Sequence, residues 1–576
     1  MPTMRAQISK VHSVVHSLFP NVLTPQDWAP TPGPELGDFA IPCFKIAKAA
    51  QKNPAQLAQD LALQLSTALD PLEFSSFQAT GPYVNVRLNT AELYDQLLDA
   101  FQSGRFLESQ EGHGRSIVVD FSSPNVAKEI ALHHLRSTAI GNALCKIAKL
   151  RGYQVVRLNY LGDWGTSFGK LLLGFKMFSS LEALKAGGLT EMLRLYVAFN
   201  QAEKSNPQLS IDAKAAFQKL ESGDAESREL WKTFRDLSVQ EFQKVYSRLG
   251  IDFDVFDGES LYVEDLSRVI QEIDSKIGTR VSEGALVCDL AGEKLPVLLK
   301  KDDGASLYIT RDLSAIEDRW TRYRFDRAWY VVAVQQKLHF QQLFGVTAAL
   351  SKPYAGRAEH ISFGMLSFGQ KTMKSREGNV IFLRDVLDEA KSRALKIIAD
   401  KNPNLMDSES VAEQIGLGAV LFFDLSHHRQ HDIAFDWEKA LSFEGDTAPF
   451  IQYVHARCHS LLAKGHKHLE SLAKSNQDPE LVAREIYELP AFHHLMAELS
   501  RAELYVERAF QDRDPSQIAA SALRIAKCFN QLYHSKRFLD ETEAHRLRLL
   551  LGATWCTQLA LEKLLDALGI PAPTQM

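Results

Sequence analysis

Paired cysteines, long apolar runs and a surplus of positive charge are all missing from this chain. Its six cysteines (Cys43, Cys145, Cys288, Cys458, Cys528 and Cys556) are scattered, with no C-x-x-C spacing. That favours small buried apolar residues in a reducing compartment over a disulfide scaffold or a zinc site. No run reaches the apolar length that crosses a bilayer, and Met1 to Lys10 lacks the unbroken apolar stretch of a secretory leader. A cytoplasmic protein with no membrane partner is expected. The net charge of −6 argues against wholesale coating of nucleic acid, although local basic surfaces can still hold phosphate. Internal repeats and low-complexity tracts are absent too.

What is present is an ordinary globular composition, 45% hydrophobic and 24% charged, spread over 576 residues. Such a length exceeds one core and suggests three or four domains of about 100–200 residues. The first hundred residues read as a small α+β domain, with a helix over Pro54–Leu69 and a strand at Gly81–Val86. A glycine- and charge-rich piece, Gly104–Arg115, marks a boundary. Strand Ile117–Phe121, helix His134–Lys149 and strand Gln154–Leu158 then make a βαβ unit, hence a parallel sheet covered by helices. A charged helical insertion follows at about 180–255, with Trp231, Phe234, Phe242 and Tyr246 as its apolar face. Strand patterns resume at Ala328–Val334 and His360–Met365. Beyond Asn402 they vanish in favour of long helical periods: Val411–Leu425, Phe450–Leu462, Ser516–Tyr533 and Ala544–Leu568. The fold class is therefore α/β. A Rossmann-type parallel-sheet domain (106–400) carries the helical insertion, between a small α+β N-terminal domain (1–105) and an all-α C-terminal bundle (401–576).

The chemistry starts at the turn Ser123-Pro124-Asn125-Val126-Ala127-Lys128 and the helix start Ala131-Leu132-His133-His134-Leu135-Arg136-Ser137-Thr138. A strand, a polar turn and a helix N-terminus bearing histidines cradle phosphate, since unpaired N–H groups and the helix dipole favour anions. A second basic loop, Lys371-Thr372-Met373-Lys374-Ser375-Arg376-Glu377-Gly378-Asn379, suits pyrophosphate. Two other patterns carry less. His427 and His431 stand four residues apart, but no third metal ligand accompanies them. Gly165–Lys170 evokes a P-loop with the wrong glycine spacing, and Leu171 replaces its Ser/Thr.

These windows resemble the motifs of class I aminoacyl-tRNA synthetases, specifically the arginyl-tRNA synthetases. The family turn reads Ser-x-Asn-x-x-Lys and its helix opens His-x-Gly-His-Leu-Arg-Ser-Thr. This chain departs at Ala131 and His133. The 371–379 loop resembles the family's Lys-Met-Ser-Lys-Ser loop in its arginyl variant, and Tyr308-Ile309-Thr310-Arg311-Asp312, in a strand-like piece from Ser306, resembles its Tyr-x-Thr-Arg-Asp motif. The resemblance implies ATP-dependent activation of L-arginine and transfer to the 3′-terminal adenosine of arginine tRNA, with ATP and Mg²⁺ as a substrate complex and no tightly bound metal. It implies catalytic roles for Lys128, His133, His134, Lys374 and Arg376, and ATP contacts from Ser123, His134, Lys371, Met373 and Ser375. Arginine would meet Asn125, Asn159, Tyr308, Asp312 and Gln336, the last in Gln335-Gln336-Lys337-Leu338-His339.

The bundle resembles the family's anticodon-binding domain, where Gln452, Tyr453, Asn530 and Tyr533 could stack on or read splayed bases. The first hundred residues resemble the extension that meets the tRNA elbow. A monomer is expected. The alternative reading, supported by Ala131 and His133, is a weakened or inactive paralogue that binds tRNA or arginine.

Overall fold

A computed structural model describes residues 4–24, 27–28, 31, 34–300, 308–368, 381–472 and 478–576. The chain divides into two compact units. One comprises Met1–Ser109, Arg393–Ser426 and Glu438–Met576; the other comprises Gln110–Ser392 and His427–Trp437.

The N-terminal part of the first unit has helices α1 (Met4–Leu18), α2 (Phe44–Ala50), α3 (Pro54–Ala68) and α4 (Thr90–Gln102). Its strands β1 (Phe39–Pro42), β2 (Phe74–Thr80) and β3 (Tyr83–Leu88) form an antiparallel sheet in the order β1-β3-β2. Asn53 and Asn89 start α3 and α4 by accepting backbone N–H groups on their side chains.

The second unit is built on β4 (Ser116–Asp120), α5 (His133–Leu150), β5 (Gln154–Leu161) and β6 (Val255–Gly258). Helices α6 (Thr166–Phe178), α7 (Leu181–Ser205), α8 (Gln208–Glu221) and α9 (Ala225–Arg248) lie between β5 and β6 in sequence. After α10 (Leu266–Lys276), strands β7 (Arg280–Ser282), β8 (Ala285–Cys288) and β9 (Val297–Lys300) form a small antiparallel sheet. Then come α11 (Tyr308–Tyr323), β10 (Arg327–Tyr330), α12 (Lys337–Ala349), β11 (Ala358–His360), β12 (Leu366–Phe368) and α13 (Leu383–Lys401), whose residues from Arg393 onward belong to the first unit. The main sheet has the order β11-β10-β4-β5-β6, and every neighbouring pair is parallel. Ile117, Val118 and Val119 of the central β4 are buried throughout, as a strand covered on both faces requires. Gly141 of α5 lets the helix lie against this sheet, since a Cβ there would fall 2.3 Å from the Phe121 ring.

Three sequence expectations change. Ser306–Asp312 was expected to be strand-like, but α11 begins at Tyr308. Ile309, Leu313 and Ile316 recur at helical spacing and pack into a core with Phe340 and Leu343, a period invisible in a seven-residue window. At His360–Met365, β11 ends on His360 and β12 begins at Leu366. Strand structure does not stop at residue 402 either: β13 (Ile433–Phe435) pairs with β12 in parallel.

The remaining helices return to the first unit: α14 (Ser408–Leu425), α15 (Trp437–Ala440), α16 (Ala448–Ser471), α17 (Pro479–Tyr487), α18 (Pro490–Asp512), α19 (Ser516–Ser535) and α20 (Ala544–Ala567). The apolar face of α4 (Leu93, Tyr94, Leu97 and Phe101) is buried, and α4 packs on α18 and α20. A buried polar chain crosses the same junction. His493 Nε2 lies 3.0 Å from Asp38 Oδ1, and its Nδ1 lies 2.9 Å from Thr90 Oγ1.

Candidate active site

The chain leaves β4 toward β5 on one side and later returns to β10 on the other. This reversal opens a crevice beyond the carboxyl ends of β4 and β10, the usual ligand position in open parallel sheets. The turn after β4 is strained: Ser122, Ser123 and Ala127 all adopt left-handed backbone angles (φ 74°, 48° and 64°). Such residues cost about 1–3 kcal/mol each and persist only where neighbours over-determine them. Here the N–H of Ser122 donates to Ser137 Oγ (2.9 Å), which donates to the Val331 carbonyl just past β10 (2.6 Å). Thr138 donates to Ser122 Oγ (2.8 Å), and the N–H of Ala127 donates to Ser238 (3.0 Å). The Ser137-Thr138 pair of the helix motif thus ties the ends of two central strands. Asn125 bridges Gly162, where a Cβ would come within 2.3 Å of Asn125 Oδ1.

At the helix start His133 and Lys128 are exposed and His134 is half-buried. His134 Nδ1 lies 3.1 Å from the Ala131 N–H and 3.2 Å from the Ala131 carbonyl. With Nδ1 accepting the Ala131 N–H, the ring of the neutral histidine carries its proton on Nε2. Burial lowers the His134 pKa to about 4, and His133 and Lys128 push the same way. The neutral ring is a donor beside the helix N-terminus. His133, 4.1 Å away ring to ring, is lowered by burial and then by Lys128.

The stem of the second basic loop meets this helix start. Ala131 pairs with Phe382, the N–H of Leu132 donates to the Ile381 carbonyl (2.8 Å), and that of Leu383 to Ile130 (2.9 Å). Lys371, Met373, Lys374, Ser375 and Arg376 lie outside the described residues, as does the Tyr308 side chain.

Buried carboxylates dominate the adjoining wall. Asp120 pairs with Arg319 at 2.9 Å, and the Arg319 guanidinium lies over the rings of Tyr160 (4.9 Å) and Tyr330 (5.3 Å). Asp163 meets Arg235 (3.1 Å) and accepts from the N–H and Oγ of Ser260 (2.9 and 2.8 Å). Glu259 pairs with Arg311 at 2.6 Å, yet burial, with Asp312 and Asp163 nearby, lifts its carboxyl to about 7. Asp312 also opposes ionisation of Asp120 and Tyr160. Among the described residues Asp312 itself has no arginine partner: its Oδ2 faces His339 Nε2 at 2.6 Å. Asn159 is fully buried, with Nδ2 donating to Tyr246 (3.0 Å) and Oδ1 without a partner among the described residues. Gln336 is exposed three residues before His339. Sequence reading missed Asp120, Arg319 and His339, although His339 closes the Gln335–His339 window.

In the helical part, Tyr453, Asn530 and Tyr533 come together around Arg457, which no motif had marked. Its guanidinium lies over both tyrosine rings (4.7 and 4.8 Å), donates to Asn530 Oδ1 (2.7 Å) and reaches the Tyr453 hydroxyl (3.0 Å). Gln452 departs from expectation. It is fully buried, and its amide donates to the carbonyls of Gln414 (3.1 Å) and Pro571 (2.8 Å), so it cannot read a base. Lys170 of the P-loop-like stretch is held by Glu203 at 2.6 Å. Among the described residues no group of three or more His, Cys, Asp or Glu side chains could hold a metal.

Comparison with known proteins agrees along the chain. The family description "tRNA synthetases class I (R), catalytic domain" matches residues 96–437, "Arginyl tRNA synthetase N terminal domain" matches 8–88, and "DALR anticodon binding domain" matches 451–576. An arginine–tRNA ligase of Exiguobacterium sp. is 41% identical over 542 residues, 94% of each chain. Arginine–tRNA ligase 2 of Bacillus anthracis is 40% identical over 570 residues, 97% of this chain and 98% of its own. The solved arginyl-tRNA synthetase of Thermus thermophilus superimposes with a TM-score of 0.81 at 25% identity, covering 100% of both chains. With a five-stranded parallel sheet of class I type, a helical C-terminal part and relatives matched over nearly their full length, the chain belongs to the arginyl-tRNA synthetase family.

Proposed function

We propose that the β4–β10 crevice holds arginine and ATP side by side, with Asp312 as the guanidinium anchor. As an arginyl-tRNA synthetase the chain is an arginine–tRNA ligase, and nothing in the comparisons favours the non-catalytic paralogue. The substrate carboxylate attacks the α-phosphorus of ATP, and pyrophosphate leaves with the electrons of the broken P–O bond. A ribose hydroxyl of the terminal adenosine then attacks the mixed anhydride, loses its proton and releases AMP. Both steps gather negative charge on phosphate oxygens, which preorganised donors stabilise. In this reading His134 Nε2–H and Lys128, at the start of α5, face that charge. Ser123 and His133 line the same mouth, and Lys371, Met373, Lys374, Ser375 and Arg376 complete it. Mg²⁺ arrives with ATP as part of the substrate.

One observation carries the arginine assignment. Asp120, Asp163 and Glu259 each have an arginine of the chain itself, whereas among the described residues Asp312 is paired with a histidine alone. A carboxylate in such surroundings calls for a cation, and a planar guanidinium meets it with two parallel hydrogen bonds. Asn125, Asn159, Tyr308 and Gln336 would supply the remaining polar contacts, and Asn159 Oδ1, without a partner among the described residues, suits a donor. Tyr453, Asn530 and Tyr533, with Arg457, would take tRNA bases, and the N-terminal domain (1–105) the tRNA elbow. We assign the sheet domain to 106–400 and the bundle to 401–576, in a monomer working in the cytoplasm. The test is ATP–pyrophosphate exchange with arginine and arginine tRNA both present. Exchange that depends on arginine supports the reading, and none under any condition returns the chain to the paralogue class.

A further inference from the structure

We propose that His339 is a positioning residue whose Nε2–H holds the Asp312 carboxylate in the plane that the substrate guanidinium meets. The inference rests on Asp312 being the guanidinium anchor. A carboxylate oxygen only accepts, so the 2.6 Å contact is a hydrogen bond donated by the imidazole. The Asp312 and His339 side chains keep about a fifth of their surface (20% and 23%), which leaves the carboxylate reachable from the crevice. Carboxylate torsions are broad and soft, so an unheld Asp312 would rotate away from its neighbours Asp120 and Glu259.

The histidine is itself fixed. Its ring meets Phe340 edge-on at 5.3 Å, Phe340 stacks on His360 at 4.5 Å, and His360 Nε2 lies 2.9 Å from the Val332 carbonyl just past β10. The orientation of Asp312 is thereby referred back to the central sheet through packed rings. The chemistry of the residue matters as well. An arginine at 339 would neutralise Asp312 permanently and compete with the substrate, as Arg311 and Arg319 do for Glu259 and Asp120. An imidazole can donate without a permanent charge, so it orients the carboxylate without the standing competition an arginine would bring.

The test uses the full-length enzyme with arginine tRNA present, read by arginine-dependent pyrophosphate exchange. Equilibrium arginine binding is measured by calorimetry for variants too slow to assay. His339→Leu removes the donor, His339→Gln keeps a neutral donor at nearly the Nε2 position, and Asp312→Asn removes the anchor charge. His339→Leu is expected to raise the arginine KM about tenfold, the scale of one hydrogen bond to a charged group. Its kcat and ATP KM stay within about twofold of the parent, and His339→Gln recovers most of the arginine KM. In the Asp312→Asn background His339→Leu adds nothing, because the two side chains act as one unit. Thermal melts accompany each variant, and His339→Ala replaces His339→Leu if the leucine does not fold. An unchanged arginine KM in His339→Leu, while Asp312→Asn raises it, overturns the inference and leaves the anchor assignment standing. An undiminished His339→Leu effect in the Asp312→Asn background also overturns it. An unchanged arginine KM in Asp312→Asn removes the anchor assignment and this inference with it.

Discussion

Replacing His134 tests an imidazole held neutral far into the acid range. Its pKa falls from an ordinary 6.5 to about 4 because the ring is buried beside the Ala131 backbone, with His133 and Lys128 adding their fields. In the unfolded chain the ring protonates as pH drops through 6.5, whereas in the folded chain it stays neutral until about 4. The unfolded state therefore binds more protons over that window. The stability this group contributes is fully present above pH 6.5 and is lost as pH falls to about 4. At about 1.4 kcal/mol per pH unit, the loss amounts to about 3 kcal/mol. His134→Gln lacks the titration, so its stability relative to the parent should improve by that amount between pH 7 and pH 4. Urea unfolding at the two pH values measures the difference. Histidine-selective ¹³C NMR gives the pKa directly, the resonance being assigned by its absence from the variant. A His134 resonance titrating at 6.5 or above would refute both the linkage and the neutral-donor role. Parallel stability profiles for the two proteins would do the same.

Further outcomes follow from the same geometry. Arg319→Met should destabilise the sheet unit by about 3–5 kcal/mol in urea unfolding, because Asp120 is left buried without its cation. Pairing it with Asp120→Asn should recover most of that loss. Arg457→Ala should weaken binding of arginine tRNA and lower the slope of log K against log salt by about 1, with the arginine KM unchanged. His133→Ala should lower kcat for pyrophosphate exchange at least about tenfold if the ring supplies the donor missing at Ala131. A neutral result would make it an ordinary exposed side chain.

Local order was legible where a motif or a long period fixed it. The βαβ unit and the helices at Ser408–Leu425, Ser516–Ser535 and Ala544–Ala567 lie within a few residues of where periodicity puts them, because burial on one face recurs over several turns, whereas α16 runs on to Ser471, nine residues past the expected end. Short elements escaped for the same reason. Three residues at Ile433–Phe435 cannot show a period, and they become a strand only because β12 offers them a ladder. Candidate site residues could be marked when they sat in a contiguous window, as His134 and Asp312 do. Arg319, His339 and Arg457 were not, since each acquires its role from partners at other points of the chain: Asp120, Asp312, and the Tyr453–Asn530–Tyr533 cluster. Gln452 shows the converse. It follows the pattern of a base reader, and only tertiary burial reveals that its amide fastens the tail at Pro571.

The junction of α4 with α18 and α20 sets an order of events during synthesis. The side chains that close it, Asp38 and His493, are separated by 455 residues. At about 5–20 residues per second, roughly 20–90 s pass between emergence of Asp38 and arrival of His493. Through that interval Leu93, Tyr94, Leu97 and Phe101 present an apolar face with nothing to cover it. Most of the parallel-sheet unit, from Gln110 to Ser392, emerges in the meantime and can collapse on its own. The N-terminal sheet and α4 thus wait for a partner made hundreds of residues later, and until it arrives the nascent chain carries an apolar patch open to mispairing.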